Sequence, residues 1–220
     1  MSNIRDIKYK KYSSIAAQLA AVSQDKDAIK YIEHPTLEVQ MAAVKNDGNS
    51  IKYISDPSEE IQLAAVQQDG TAIYYIKHPS LKVQLAAVQQ DGDAIKYIQD
   101  PSLEVQLASV SRDPHSIKFI PHPSAQVQVT AVRCNRTAIV RIKKDQCLEV
   151  QIMIARDYPY LVIYLVEPRD EVLKILLDRW IKINYIEGIQ SIIKNYKSFY
   201  NEYYNNLKDD EKLLMEFILI

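Results

Sequence analysis

The sequence predicts an all-α solenoid of about seven or eight two-helix repeats, each a longer α-helix followed by a short α- or 3-10 helix, with a C-terminal helical cap. Three observations predict it. Gln40, Gln62, Gln84, Gln106 and Gln128 recur every 22 residues, and self-similarity at a fixed short period marks an array whose units cannot bury their apolar faces alone. Apolar residues inside a unit follow helical spacing, as do Leu81, Leu85 and Val88. Turn-forming pairs stand at the same two places in the copies, exemplified by Asp91-Gly92 and Asp100-Pro101.

The unit from Pro79 to Asp100 shows how each element is predicted. The long helix opens at an Asp-Pro-Ser signal, most compactly Asp56-Pro57-Ser58-Glu59, which predicts Asp as N-cap, Pro at the first helical position and Glu at the third. Gly92 is expected to close that helix with a positive φ, and Asp91 to cap the short segment 93–98. On a helical wheel Leu81, Leu85 and Val88 fall together, Val83 and Ala87 form a second apolar sector, and Lys82 and Gln89 lie opposite. Gln84 sits between the two sectors. The same residue returns as Gln18, Gln40, Gln62, Gln106, Gln128 and Gln151. A buried amide left unpaired costs about 1–3 kcal/mol, so a ladder of amides bonded to neighbouring repeats is expected, with a ligand-facing row as the alternative.

Residues 1–12 are polar and basic and read as a tail or short cap, 13–186 as the solenoid, and 187–220 as the C-terminal cap. The first unit, from Ser13 to His34, is degenerate: Ser13 stands for Pro and Lys26 for Gly. Four close copies start at Pro35, Pro57, Pro79 and Pro101. The short segments of the first unit and of these four carry Tyr31, Tyr53, Tyr75, Tyr97 and Phe119 in register, which fits an inter-repeat packing ladder or, alternatively, a stacking platform. The residue before each Pro alternates as His34, Asp56, His78, Asp100 and His122, either a relic of duplicated pairs or a row of metal-binding neighbours. After a one-residue insertion near Cys147 another unit runs to Leu165, and a last one, with Trp180, to Ile186. Residues 189–203 and 208–220 read as two longer amphipathic helices without repeats. The apolar run from Leu213 to Ile220 fits a buried cap, a dimer contact or a docking peptide.

At 220 residues and 47% hydrophobic the chain is able to bury a sizeable core, and a net charge of −1 gives no global attraction to nucleic acid or to an acidic membrane. Cys134 and Cys147 lack the spacing of a zinc or iron–sulfur site and fit a reducing compartment. With no apolar run of about 20 residues and no secretory pattern, a cytoplasmic protein is expected, and no cofactor. The phosphate-loop, zinc-protease, nucleophile-elbow and Cys-x-x-Cys motifs are absent, and the recurring Asp residues stand at capping positions, so an enzyme is not expected.

Between Arg112 and Lys144 the pattern loosens. Pro114 and then Arg136 take the Gly position, Arg141 takes the Tyr position, and seven basic residues face one acid, Asp113. This stretch, with the adjoining Lys96 and Lys118, is the candidate partner-binding region, and Arg133, Arg136 and Arg141 are its main residues. The alternative is that these arginines dock the cap through Asp209, Asp210 and Glu211. Two further rows, Glu38, Glu60, Lys82, Glu104 and Lys30, Lys52, Tyr74, Lys96, Lys118, are predicted to be exposed stripes of opposite charge.

The string around Pro79, Val83, Gln84 and Val88 resembles the P-x-x-x-V-R-x-x-V core of leucine-rich-variant and HEAT-like solenoids, with Gln in place of the usual Arg. Val83, Ala86 to Val88, Asp91, Gly92, Ala94, Ile95 and Tyr97 are also similar to an uncharacterised bacterial and viral repeat, V-x-x-A-V-x-x-N-G-x-A-L-x-Y. The likeness covers residues 13–186. It implies an architecture and, by analogy, a non-enzymatic scaffold binding another protein with an acidic surface. Nucleic-acid binding through residues 112–144 is the alternative, because some HEAT-like solenoids track phosphates with a basic face.

Overall fold

The computed structural model describes residues 14–183, 186–195, 197–207 and 212. Seven α-helices, α1 (Ile15–Gln24), α2 (Leu37–Asn46), α3 (Glu59–Gln68), α4 (Leu81–Gln90), α5 (Leu103–Arg112), α6 (Ala125–Cys134) and α7 (Leu148–Asp157), alternate with seven 3-10 segments. These are η1 (Ala28–Tyr31), η2 (Gly48–Tyr53), η3 (Gly70–Tyr75), η4 (Gly92–Tyr97), η5 (Pro114–Phe119), η6 (Arg136–Arg141) and η7 (Pro159–Tyr164). Each α-helix packs on the next α-helix, and from η1 to η7 each 3-10 segment on the next 3-10 segment. The result is an α-solenoid with one layer of long helices and one of short ones. No strand occurs among the described residues. Seven complete units are present, and α8 (Asp170–Ile183) supplies the long helix of an eighth.

The long helices α1 to α6 are each started by a hydroxyl. Ser14, Thr36, Ser58, Ser80, Ser102 and Ser124 hold extended backbone and accept a hydrogen bond from the N–H three residues on. The expected Asp cap lies two residues too early: Asp56 and Asp100 sit in the preceding turn at φ 47° and 45°, a region that Asp tolerates better than bulkier residues. At the other end Asp47, Asp69, Asp91, Asp113 and Asn135 close the helix in extended backbone, and each side chain accepts from the N–H two residues on, which starts the 3-10 segment. That expectation for Asp91 holds, whereas the positive φ expected of the following glycine does not. No described Gly has one. Gly is needed there because the next repeat is too close: a Cβ on Gly48 would stand 2.4 Å from the Ala65 carbonyl oxygen, and one on Gly70 2.6 Å from that of Ala87.

The core is a set of columns running through the stack. Val39, Ile61, Val83, Val105 and Val127 form one, Val44, Val66, Val88, Val110 and Val132 another, and Ile51, Ile73, Ile95, Ile117 and Ile139 a third, all of them buried. Leu81, expected inside with Val88, is 47% exposed. As the first residue of α4 it has no preceding turn of its own helix to lie against, while Val83 and Ala87 carry the contact.

The Gln ladder also differs from expectation. Gln40, Gln62, Gln84 and Gln106 are half-buried, and each Nε2 donates to the carbonyl of the proline five residues earlier in its own unit, at 2.8–3.0 Å. Within the row the expected bonding across units is made by the buried Gln128 and Gln151, which bond backbone of the following turn, and elsewhere it belongs to other amides. Gly48 N–H donates to Gln68 Oε1 (2.6 Å) and Gly70 N–H to Gln90 Oε1 (2.7 Å).

At the C-terminal end α8, α9 (Ile186–Asn195) and α10 (Lys197–Asn205) pack in sequence on α7. A second apolar cluster joins Ala155 of α7, Val172, Leu173, Leu176 and Leu177 of α8, and Tyr200 and Tyr203 of α10, with the Tyr203 hydroxyl donating to Asp178 at 2.6 Å. Residues 189–203, expected as one helix, fall within α9 and α10, and residue 196 between them lies outside the described residues. The N-terminal tail 1–12, the acidic trio Asp209, Asp210 and Glu211, and the run Leu213 to Ile220 lie outside the described residues.

Candidate binding face

The 3-10 layer exposes a column of side chains that the period brings into register. Lys30, Lys52, Tyr74, Lys96 and Lys118 are exposed, and Tyr31, Tyr53, Tyr75, Tyr97 and Phe119 stand beside them. Lys30, Lys52 and Lys96 each span two units, whereas Lys118 lies over Phe119 of its own unit: Lys30 Nζ lies 5.9 Å from the Tyr31 ring centre and 5.8 Å from that of Tyr53. Lys52 relates in the same way to Tyr53 (4.9 Å) and Tyr75 (5.8 Å), and Lys96 to Tyr97 (4.7 Å) and Phe119 (5.7 Å). Where the lysine is replaced, Tyr74 makes edge-on ring contacts with Tyr75 (5.1 Å) and Tyr97 (5.2 Å), so the ladder continues without a charge. Ring faces carry negative potential, so each ammonium is held while remaining in water. The Tyr53 side chain beside Lys52 pushes that ammonium's pKa up. Tyr75 and Tyr97 are about two-fifths exposed, so the column packs between repeats and also presents aromatic surface.

The second row, Glu38, Glu60, Lys82 and Glu104, is exposed on the long helices as expected. The pre-proline row does not gather into a ligand set. No group of three His, Cys, Asp or Glu side chains converges among the described residues.

Between successive turns that lead from a 3-10 segment to the next long helix runs a repeated open groove. One, of about 540 Å³, is lined by Lys52, Asp56, Tyr75, Lys77 and His78 among others. Another, of about 500 Å³, is lined at the corresponding places by Lys118, His122, Arg141, Lys143 and Lys144, with the inserted Asp145.

A family model described as Domain of unknown function (DUF4116) matches residues 36–82. That span runs from the cap of α2 to the start of α4 and so covers two units of the array. No curated protein and no solved structure matches the chain.

The five candidate residues do not form one patch. Lys96 and Lys118 belong to the aromatic ladder, and Lys118 also pairs with Asp93 at 3.1 Å. Arg141 ends η6 and shares the second groove with Lys118. Arg136 begins the same segment, about 10 Å away at 2 Å per residue, and its guanidinium lies over the rings of Tyr158 and Tyr160. Arg133 is exposed in the last turn of α6 and reaches neither set. Sequence reasoning placed Lys143 and Lys144 in the basic stretch without singling them out. The signal was their register, since Lys144 falls where His78 stands three units earlier.

Proposed function

We propose that this protein is a non-enzymatic binding scaffold of the cytoplasm whose 3-10 face engages an acidic surface on another protein. The observation that carries the reading is the ladder itself, in which four lysines are held in register by aromatic rings yet remain exposed. A cation already positioned by its neighbours loses little side-chain freedom on binding, so more of its attraction for a carboxylate is retained. The exposed rings of Tyr74, Tyr75 and Tyr97 supply the apolar contact that interface cores favour.

Nucleic-acid binding is the second reading, supported by Arg141, Lys143 and Lys144, which make no ion pair with any described residue. Affinity purification of the full chain followed by quantitative mass spectrometry, with and without nuclease, separates the two. Under the scaffold reading, nuclease-resistant partners are lost when Lys30 and Lys96 are both changed to Glu, while the melting temperature stays put. Partners indifferent to that double change sink the reading, and capture that disappears with nuclease transfers it to nucleic acid.

A further inference from the structure

The two grooves described above are the same feature in different registers, and their charges diverge. The first carries Lys52 and Lys77 against Asp56. In the second, three units on, His122 stands in place of Asp56, Arg141 in place of Tyr75 and Lys144 in place of His78, so Lys118, Arg141, Lys143 and Lys144 oppose only Asp145. Asp145 is itself engaged with His122 at 3.2 Å, and Lys118 with Asp93, whereas Arg141, Lys143 and Lys144 form no ion pair with a described residue.

The turn that carries these cations is anchored from beneath. It is one residue longer than its counterparts, with Asp145 at φ 54°. Buried Gln128 donates to the Asp145 carbonyl at 2.8 Å and accepts from the Cys147 N–H at 2.8 Å. Buried Gln146 donates to the carbonyls of Ile142 and Tyr164 and accepts from the Val166 N–H. Two buried amides thus hold both ends of the stretch that presents Lys143 and Lys144. A turn fixed in this way holds the backbone that presents Lys143 and Lys144 beside Arg141, so that a ligand need not order that backbone on binding.

We infer that the groove between Lys118 and Lys144 is the docking site for a short acidic peptide segment, rich in Asp or Glu, of a partner protein. The inference rests on the scaffold reading and names where such a partner would be gripped. Charge along the array selects a short ligand over a nucleic acid. Asp100 occupies the position of His122 one unit earlier, Glu167 occupies that of Asp145 one unit later, and Val140 and Ile163 continue the lysine column without charge. The positive surface is therefore an island one groove wide, whereas a phosphate backbone draws its affinity from many neutralised phosphates in a row.

Fluorescence anisotropy on the full chain tests this with a labelled oligo-aspartate peptide, an oligo-asparagine peptide of equal length and a single-stranded oligonucleotide. The expected result is binding of the aspartate peptide alone. It should weaken on the order of tenfold when Arg141 and Lys144 are both changed to Glu, and also, to a smaller extent, when both are changed to Gln, a variant that introduces no new charge. The matched change of Lys52 and Lys77 to Glu in the other groove should alter affinity by less than about twofold. Failure of the wild type to bind the peptide overturns the proposal, as does equal loss from both grooves or tighter binding of the oligonucleotide. Should the groove fail while the Lys30 and Lys96 changes still release partners, only this inference falls and the scaffold reading stands.

Discussion

From Thr36 to Asp100 glycine N–H groups stitch successive units to glutamines at the corner between long and short helix, whereas from Ser102 to Glu167 buried glutamines stitch them at the opposite turn. In the first region the glycine N–H reaches an amide of the next unit, Gln68 for Gly48 and Gln90 for Gly70. In the second the corner residues are Pro114, which has no N–H, and Arg136, and the facing positions are Cys134 and Asp157. The cross-links are then made by Gln128, Gln146 and Gln151, all buried and all bonded to backbone of the following turn or unit. The apolar columns run unchanged as far as Val132 and Ile139, and Ala155 and Val162 take their places in the last unit. An array needs its core columns everywhere but needs its polar bonds only somewhere, so moving the bonds leaves a corner free to carry Arg136 and a fixed turn to carry Lys143 and Lys144.

The sharpest way to break this comparison is at the corner. Gly48→Val drives a side chain into the Ala65 carbonyl and should cost about 3 kcal/mol, read as a fall in the urea midpoint. Arg136→Gly, in the same register, should cost no more than about 1 kcal/mol. A loss at Arg136 as large as that at Gly48 would mean that the Arg136 side chain holds its own corner together, against the comparison.

The amides come next. Gln128→Ala removes the partner of both the Asp145 carbonyl and the Cys147 N–H and should cost about 2 kcal/mol. Gln84→Ala frees one half-buried carbonyl, that of Pro79, and should cost about 1 kcal/mol. A larger loss at Gln84 would place the stitching in the wrong region.

The smallest effect concerns helix starts. Ser80 caps α4, whereas Cys147 stands at the same place before α7 with no side-chain cap bond, and burial pushes its thiol pKa up. Ser80→Ala should destabilise and Cys147→Ser should stabilise, each by about 1 kcal/mol or less. If Cys147→Ser instead lowers the melting temperature, the thiol is packing rather than failing to cap.

The sequence by itself determined the period, the pairing of a long with a short helix, the valine and isoleucine columns and the Asp91 cap that begins η4. These depend on contacts within one unit or on the requirement that every unit fit the next in the same way, and a repeating pattern displays such requirements directly. Misreadings gathered where one residue type serves either of two geometries. Asp before Pro looks like a cap but enters a left-handed turn, and Leu81 shares the helical face of Val88 but lies at the helix start, in water. Only the tertiary structure decided what the glycines and glutamines are for, because the Ala65 carbonyl that fills the space a Cβ on Gly48 would need, and the reach of Gln68, are relations between units that no single unit contains. It also decided which cations meet. Arg136 and Arg141 are close in sequence yet at opposite ends of a 3-10 segment, while Lys118 and Lys144, a full unit apart, line one groove because stacking sets neighbouring turns side by side.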